Sequence, residues 1–323
     1  MRQSSPLLLQ TPRGLYCQAG DFYIDPTQAV DRAVITHGHS DHARRGMKSY
    51  VCHSDCVPIL RHRLGPGINV HGIGYGQRTV INGVDVSLHP AGHIIGSAQV
   101  RVEYRGEVWV VSGDYKRQPD PFAAAFEPVP CHTFVTETTF GLPLYAWPNV
   151  DTISADINAW WRQQASHGHT CVVQAYALGK AQRIMGMVDA SIGPILAHGS
   201  IHAMNSVLAS AGHALPTWRE LLPTTPAALL KGALILSSAQ TLDFLPSNLG
   251  VAHAAASGWM ALASRRAAYD AAFVVSDHVD WRGILDTIAD TGAERVLTTH
   301  GYADVVARYL QELGLDAASL HDA

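Results

Sequence analysis

Three imidazoles and a carboxylate fall within the six-residue segment His37-Gly38-His39-Ser40-Asp41-His42. Each imidazole offers a nitrogen lone pair and the carboxylate two oxygens, so in a loop they can converge on adjacent cations, as alternate side chains of a long helix cannot. Two more residues have the same character. His93 lies in Pro90-Ala91-Gly92-His93-Ile94-Ile95-Gly96-Ser97, where glycines let the backbone approach a neighbour. Asp114 closes the run Val110-Val111-Ser112-Gly113. Alone, His93 reads as a core histidine and Asp114 as a turn or cap residue. The ligand-rich segment makes both candidates for one site, and the chain's 18 histidines invite such a search without deciding it.

Such residues must be held at the ends of rigid elements. The first 140 residues contain short apolar and β-branched runs punctuated by Gly and Pro, which predict strands over 21–25, 33–37, 49–52, 85–90, 98–104, 107–114 and 133–138. The clustered histidines, His93 and Asp114 each close or follow one of these runs. From Asp151 onward helix and strand alternate, with helices over 154–167, 180–190 and 201–211 and strands over 171–176 and 195–198. That alternation predicts a parallel sheet covered by helices. After a Pro-rich stretch over 215–226 come a strand over 233–238 and an irregular segment to about Met260. Strands over 271–276 and 295–299 and helices over 281–291 and 303–313 follow, the last with Val305, Val306, Tyr309, Leu310 and Leu313 on one face.

At 323 residues and 47% hydrophobic, the chain can bury at least one large core, as one large domain or as a domain carrying a second. A formal net charge of -4 argues against coating nucleic acid by bulk charge, so such a partner needs a local basic surface. Cys17, Cys52, Cys56, Cys131 and Cys171 are odd in number and form no C-x-x-C pair, which suits reduced thiols. The N-terminal segment has only a three-leucine run, so no secretory region or membrane span is expected and the location expected is cytoplasmic. Gly72-Ile73-Gly74-Tyr75-Gly76 is a glycine-rich turn and not a dinucleotide fingerprint, since no helix pattern follows it.

Taken in order, these motifs resemble the metallo-β-lactamase superfamily and, more narrowly, its β-CASP nucleases. The narrower likeness rests on Thr136-Glu137-Thr138-Thr139-Phe140-Gly141, Ser276-Asp277-His278 and Thr299-His300-Gly301. Ala177-Leu178-Gly179-Lys180-Ala181-Gln182-Arg183 resembles a helix start in the β-CASP insertion, and the likeness covers nearly the whole chain. Ser276-Asp277-His278-Val279-Asp280-Trp281, with Gly258-Trp259-Met260, is most similar to the bacterial ligase-associated DNA exonucleases. The resemblance implies an α/β fold: an αββα sandwich from residues 1–145 and 255–323, with an α/β β-CASP domain over 146–254 inserted as a lid.

It also implies roles. His37, His39 and His93 would hold one divalent metal ion, Asp41, His42 and His300 the other, and Asp114 would bridge them. The nitrogen-rich set favours Zn²⁺, while carboxylates and open positions also suit Mn²⁺. Two such ions, about 3.5–4 Å apart, would activate a water for in-line attack on phosphorus and neutralise the developing charge. His278 would donate to the leaving oxygen or clamp a nonbridging one, Glu137 would orient it, and Asp25 would order the ligand loop. In the plainer reading Glu137 and His278 are a structural pair and Asp25, before Pro26, is a turn residue. Arg45, Lys116, Lys180 and Ser97 are the candidate substrate contacts. The implied activity is that of a DNA exonuclease in repair, acting on single-stranded DNA or DNA ends beside a DNA ligase. The rivals are a ribonuclease of the ribonuclease J or cleavage and polyadenylation type, a small-molecule hydrolase and a noncatalytic nucleic-acid scaffold.

Overall fold

Six short strands open the chain: β1 (Leu9–Thr11), β2 (Gly14–Cys17), β3 (Phe22–Ile24), β4 (Arg32–Val34), β5 (Ser49–His53) and β6 (Val70–Ile73). They form one sheet in that order in this computed structural model, which describes residues 6–239 and 242–321. Between β5 and β6 runs α1 (Cys56–Leu64), whose Cys56, Leu60 and Leu64 pack with Ala33, Ile35 and Tyr50 on one face of that sheet. Next come β7 (Arg78–Ile81), β8 (Val84–Pro90), β9 (Ala98–Tyr104), β10 (Glu107–Val111) and β11 (Thr133–Glu137).

The middle of the chain supplies α2 (Val150–Ser166), β12 (Thr170–Gln174), α3 (Lys180–Met187), β13 (Ile195–His198), α4 (Ser200–Ser210) and β14 (Arg219–Leu221). It continues through α5 (Ala227–Leu230), β15 (Leu234–Ser237), β16 (Val251–Ala256), α6 (Ala263–Arg266) and β17 (Ala271–Phe273). The last elements are α7 (Trp281–Thr291), β18 (Arg295–Thr299), α8 (Ala303–Glu312) and β19 (Asp316–Ser319). None of the described helices is long and apolar enough to cross a membrane.

Two compact units result. The first comprises Met1–Pro119, Ala123–Ala146 and His278–Ala323, the second Asp120–Phe122 and Trp147–Asp277. In the first unit a second sheet has the order β19-β18-β11-β10-β9-β8-β7. Phe22, Ile24 and Val34 of the first sheet share a core with Val86, Val100, Trp109 and Val111 of the second. Behind the second sheet, Val110, Phe134 and Val296 meet Ile284 and Ile288 of α7 and Val306 and Leu310 of α8. The layers are therefore helix, sheet, sheet, helix. Each fully buried side chain of this size contributes about 1.5–3 kcal/mol, which makes the strand ends a stiff platform.

The second unit is an all-parallel sheet of order β14-β13-β15-β12-β16-β17. Ile157 and Trp161 of α2 and Ile184 of α3 cover one face, while Leu221, Leu230 and Leu242 pack with Val172, Leu196 and Ile235 on the other. Covering both faces is what a parallel sheet of apolar strands requires.

Some segments differ from the sequence-based expectation or carry elements it did not include. The second unit runs through Asp277 and not to residue 254, because β16 pairs with β12 and β17 with β16, extending the same sheet. Residues 251–256 form a strand although Val-Ala-His-Ala-Ala-Ala is poor in β-branched residues; pairing on both sides overrides local propensity. Residues 56–64 are helical despite Pro58, which sits in the first turn where its missing N–H is harmless.

Candidate metal centre

β10, β11 and β18 are parallel neighbours, with Val111 beside Val135 and Glu137 beside Thr299. Their carboxyl ends therefore deliver Asp114, Glu137 and His300 to one edge of the sheet. The ligand loop after β4 is tied to that edge across the sandwich, since the Ala98 amide donates to the Thr36 carbonyl at 2.8 Å. Gly113 permits the approach: at φ +57° its Cβ would lie 2.7 Å from the Thr36 side chain. His300 itself adopts a left-handed φ of +58°. Its carbonyl accepts from the Thr138 hydroxyl at 2.6 Å, which fixes the turn against the end of β11.

His37, His39, His93 and Asp114 place one ligand atom each within 4.8 Å of one another, and so do His42, Asp114 and His300. His39 Nδ1 lies 3.0 Å from His37 Nε2 and 3.1 Å from His93 Nε2. Asp114 straddles the two groups. Its Oδ2 is 3.5 Å from His37 Nε2 and 3.7 Å from His93 Nε2, while its Oδ1 is 3.4 Å from His42 Nε2. Asp41 is in neither group; its carboxylate is 68% exposed and 3.8 Å from His42 Nε2. With His42 and His300 it lines a pocket of about 260 Å³.

This donor set fits divalent cations. Three imidazole nitrogens directed at one another have too few protons to pair their lone pairs, and a cation satisfies all of them together with the carboxylate. Burial, together with nearby His42, pushes the His37 pKa well below its ordinary value and leaves a neutral nitrogen donor. For Asp114 burial opposes ionisation, yet the facing His42 and His278 hold its pKa well below the carboxylate range. Burial likewise opposes protonation of His42, but Asp114 and Asp25 outweigh it and raise its pKa.

Asp25 accepts from both the backbone N–H and the hydroxyl of Thr36, at 2.8 and 2.5 Å, and its Oδ2 is 2.7 Å from His42 Nδ1. Holding His42 by Nδ1 leaves Nε2 toward Asp114, the outer partner arrangement that fixes a ligand's tautomer. Thr36, which carried no expected role, is thus part of the support. Arg63 was missed altogether: it lies on the unexpected helix α1 and donates to the Gly38 carbonyl.

Glu137 is 1% exposed and lies 2.8 and 2.9 Å from His278 Nδ1 through its two oxygens. It also accepts from the Tyr115 amide at 2.9 Å and the Thr139 hydroxyl at 2.5 Å. The carboxylate is therefore anchored from the segments that follow β10 and β11, and His278 Nδ1 lies 3.9 Å from Asp114 Oδ2.

The expected substrate contacts are placed differently. Lys116 and Ser97 are 0% and 1% exposed, and the Ser97 hydroxyl accepts from the Ile94 amide within its own turn. Lys180 is 4% exposed and pairs with Asp277 at 2.8 Å inside the second unit. None of the three offers its polar end to solvent. Arg45 is exposed beside the ligand loop.

A layered α/β unit with an imidazole and carboxylate cluster at its strand ends is a metal-site scaffold, and the relatives sharpen that class. No family model matches the chain. It is 30% identical over 311 residues to a probable DNA ligase of Opitutus terrae, a match covering 94% of this chain and 30% of that protein. It is 25% identical over 171 residues to endoribonuclease YSH1 of Gibberella zeae, covering 52% of this chain and 20% of that one. The chain thus spans a third or less of either relative. A crystal structure of a protein of unknown function from Enterococcus faecalis V583 superposes with a TM-score of 0.60 at 11% identity, over 88% of this chain and 78% of that one. One of these relatives is a nuclease, in keeping with the resemblance of the sequence motifs to the β-CASP branch of the metallo-β-lactamase superfamily.

Proposed function

We propose that the protein is a metal-dependent phosphodiesterase that works as a DNA exonuclease in repair. The observation that carries this reading is Asp114, shared between two imidazole groups, with the Glu137–His278 pair at the same edge. His37, His39, His93 and Asp114 would hold one cation, and His42, Asp114 and His300, with Asp41, the second. Zn²⁺ suits this nitrogen-rich set, and Mn²⁺ is the other candidate. Bound there, such ions supply a water acidified toward neutral pH and positive charge for a phosphoryl oxygen. The protein's own part is positional and protonic. Glu137 orients His278 through Nδ1, and His278 delivers a proton to the leaving oxygen. Asp25 and Thr36 keep His42 in the ligating tautomer. The layered first unit is read as the metallo-β-lactamase sandwich and the second as the β-CASP insertion.

The choice of DNA draws support from the Opitutus terrae relative, named a probable DNA ligase, 30% of which resembles nearly this whole chain. A nuclease that trims ends is the natural companion of an enzyme that seals them, so a ligase is the proposed partner and the cytoplasm the proposed location. RNA is the second reading, favoured by the likeness to an endoribonuclease. The deciding experiment follows 5′- and 3′-labelled single-stranded DNA and RNA with metal-loaded protein, beside Asp41→Ala. Stepwise mononucleotide release from DNA, absent in the variant and weak on RNA, is the expected result. Equal or faster cleavage of RNA would move the protein to the ribonuclease reading, and cleavage of neither would overturn both.

A further inference from the structure

Residues 44–63 contain five of the chain's 23 lysines and arginines and only one of its 27 acidic residues. In a protein of net charge -4 this is a local reversal of sign. Lys48 is neutralised by Asp31 at 2.8 Å. The four arginines are not: among the described residues Arg44, Arg45, Arg61 and Arg63 enter no ion pair with a carboxylate. Three of them bond to carbonyls, which leave the charge in place, and Asp41 acts on Arg63 only through space. Arg45 Nη2 donates to the Arg63 carbonyl at 3.1 Å, Arg44 Nη1 to the Thr27 carbonyl at 3.5 Å, and Arg63 Nη1 to the carbonyl of Gly38. Gly38 stands between His37 and His39, so this chain of contacts leads straight into the ligand loop.

A purely structural account covers only part of this. Basic residues in the last turn of a helix are stabilised by its dipole, and Arg61, His62 and Arg63 end α1. Arg44 and Arg45 are on no helix; they follow the ligand segment, both are exposed, and Arg45 reaches the end of α1 at the Arg63 carbonyl. Concentrating like charges without direct ion pairs costs stability, and that cost is offset when an anion lies across them.

We infer that Arg44, Arg45, Arg61 and Arg63 form a phosphate lane beside the ligand loop, which holds the backbone of a single nucleic-acid strand as it reaches the metal centre. This deepens the nuclease reading and rests on it for the choice of ligand. Its recognition is of phosphates and is independent of sequence, since nothing in the lane is an aromatic or amide reader of bases. Arg63 has a second task, holding the Gly38 carbonyl, so the other three are the clean probes.

The test measures binding, not turnover. Metal-loaded protein is titrated with a dye-labelled oligothymidine carrying cleavage-resistant phosphorothioate linkages, over a range of salt concentrations. The variants are the triple Arg44→Ala/Arg45→Ala/Arg61→Ala, the same three positions as Lys, and Arg308→Ala as a distant surface control; thermal melting checks that each is folded. Each phosphate contact of a single strand adds about 0.7 to the slope of log affinity against log salt, so the triple alanine variant should flatten it by about 2. Affinity at low salt should fall at least tenfold, with recovery in the lysine variant and no change in Arg308→Ala. An unchanged slope in the triple alanine variant would overturn the lane even if the wild type releases nucleotides. Binding that follows the three arginines while the wild type cleaves nothing would keep the lane and reject the nuclease. A wild type that neither binds nor cleaves would reject both.

Discussion

Each unit buries a cluster of polar side chains, and the two clusters are built on opposite principles. In the second unit Lys180 and Arg183 face Asp277, and Arg183 also faces Asp120 at 3.8 Å, so cations and anions of the protein balance each other. In the first unit six imidazoles gather around the buried Asp114, with Glu137 as a second buried carboxylate, and nitrogens of His37, His39 and His93 point at one another. The former supplies its own counter-charge. The latter, although His42 already balances Asp114, supplies a surplus of electron pairs that an outside cation would take up. Burial alone therefore says little about function; the sign and direction of what is buried say more. A self-neutralised cluster organises a fold, whereas a cluster of converging donors is a demand for a ligand.

The contrast predicts unequal consequences of mutation. Asp114→Asn should have the largest effect, because it removes the carboxylate common to both groups: the purified protein should lose its bound metal by elemental analysis and with it phosphodiester hydrolysis. Retention of a full metal complement would show that the imidazoles suffice and that Asp114 is not shared. Chelation should have the same effect on the wild-type protein, reversible by added Zn²⁺ or Mn²⁺. Glu137→Gln should keep the metals yet lower kcat by about 10²–10⁴, the span of a general acid's contribution. A lost metal content in that variant would mean Glu137 is a ligand, which its 4.8 Å grouping with Asp114 and His278 also allows geometrically.

Lys180→Met should do the reverse of Asp114→Asn. Removing one partner of a buried pair leaves Asp277 with only the more distant Arg183, and unfolding in urea should show a loss of stability, below the about 3–5 kcal/mol of a fully uncompensated charge, with metal content unchanged. A metal-depleted Lys180→Met protein would break the distinction between the clusters. The smallest effect is expected for Asp25→Asn, which disturbs only the support of His42: metal affinity should fall about 10–100-fold, read by competition with a chromogenic chelator.

Much of the first cluster is visible in the chain itself, because its members are marked by residue type and by position after apolar runs. His37, His39 and His42 are close in sequence, and Asp114 and His300 follow strands that periodicity alone reveals. Thr36 was not distinguishable, since nothing local tells a threonine that bonds a buried carboxylate from one that faces water. Arg63 was hidden for a different reason: α1 has a weak pattern and a proline in its first turn, so no element was expected there to carry it. The strand β16 shows the same limit in the other unit, four alanines being drawn into a sheet by the neighbours on either side.

Lys116 and Lys180 mark the boundary between the two kinds of knowledge. Each lies beside a motif, and adjacency in sequence suggested contact with substrate; each proves to be buried. The sequence by itself determined which donor groups are present, and that they stand at strand ends, because chemistry and local periodicity are written residue by residue. Only the tertiary structure decided which charges face solvent, which pair internally, and how Asp114 comes to lie between imidazoles from distant segments. The reason is physical: exposure and convergence are set by long-range packing of sheets and helices, whose register depends on many residues at once.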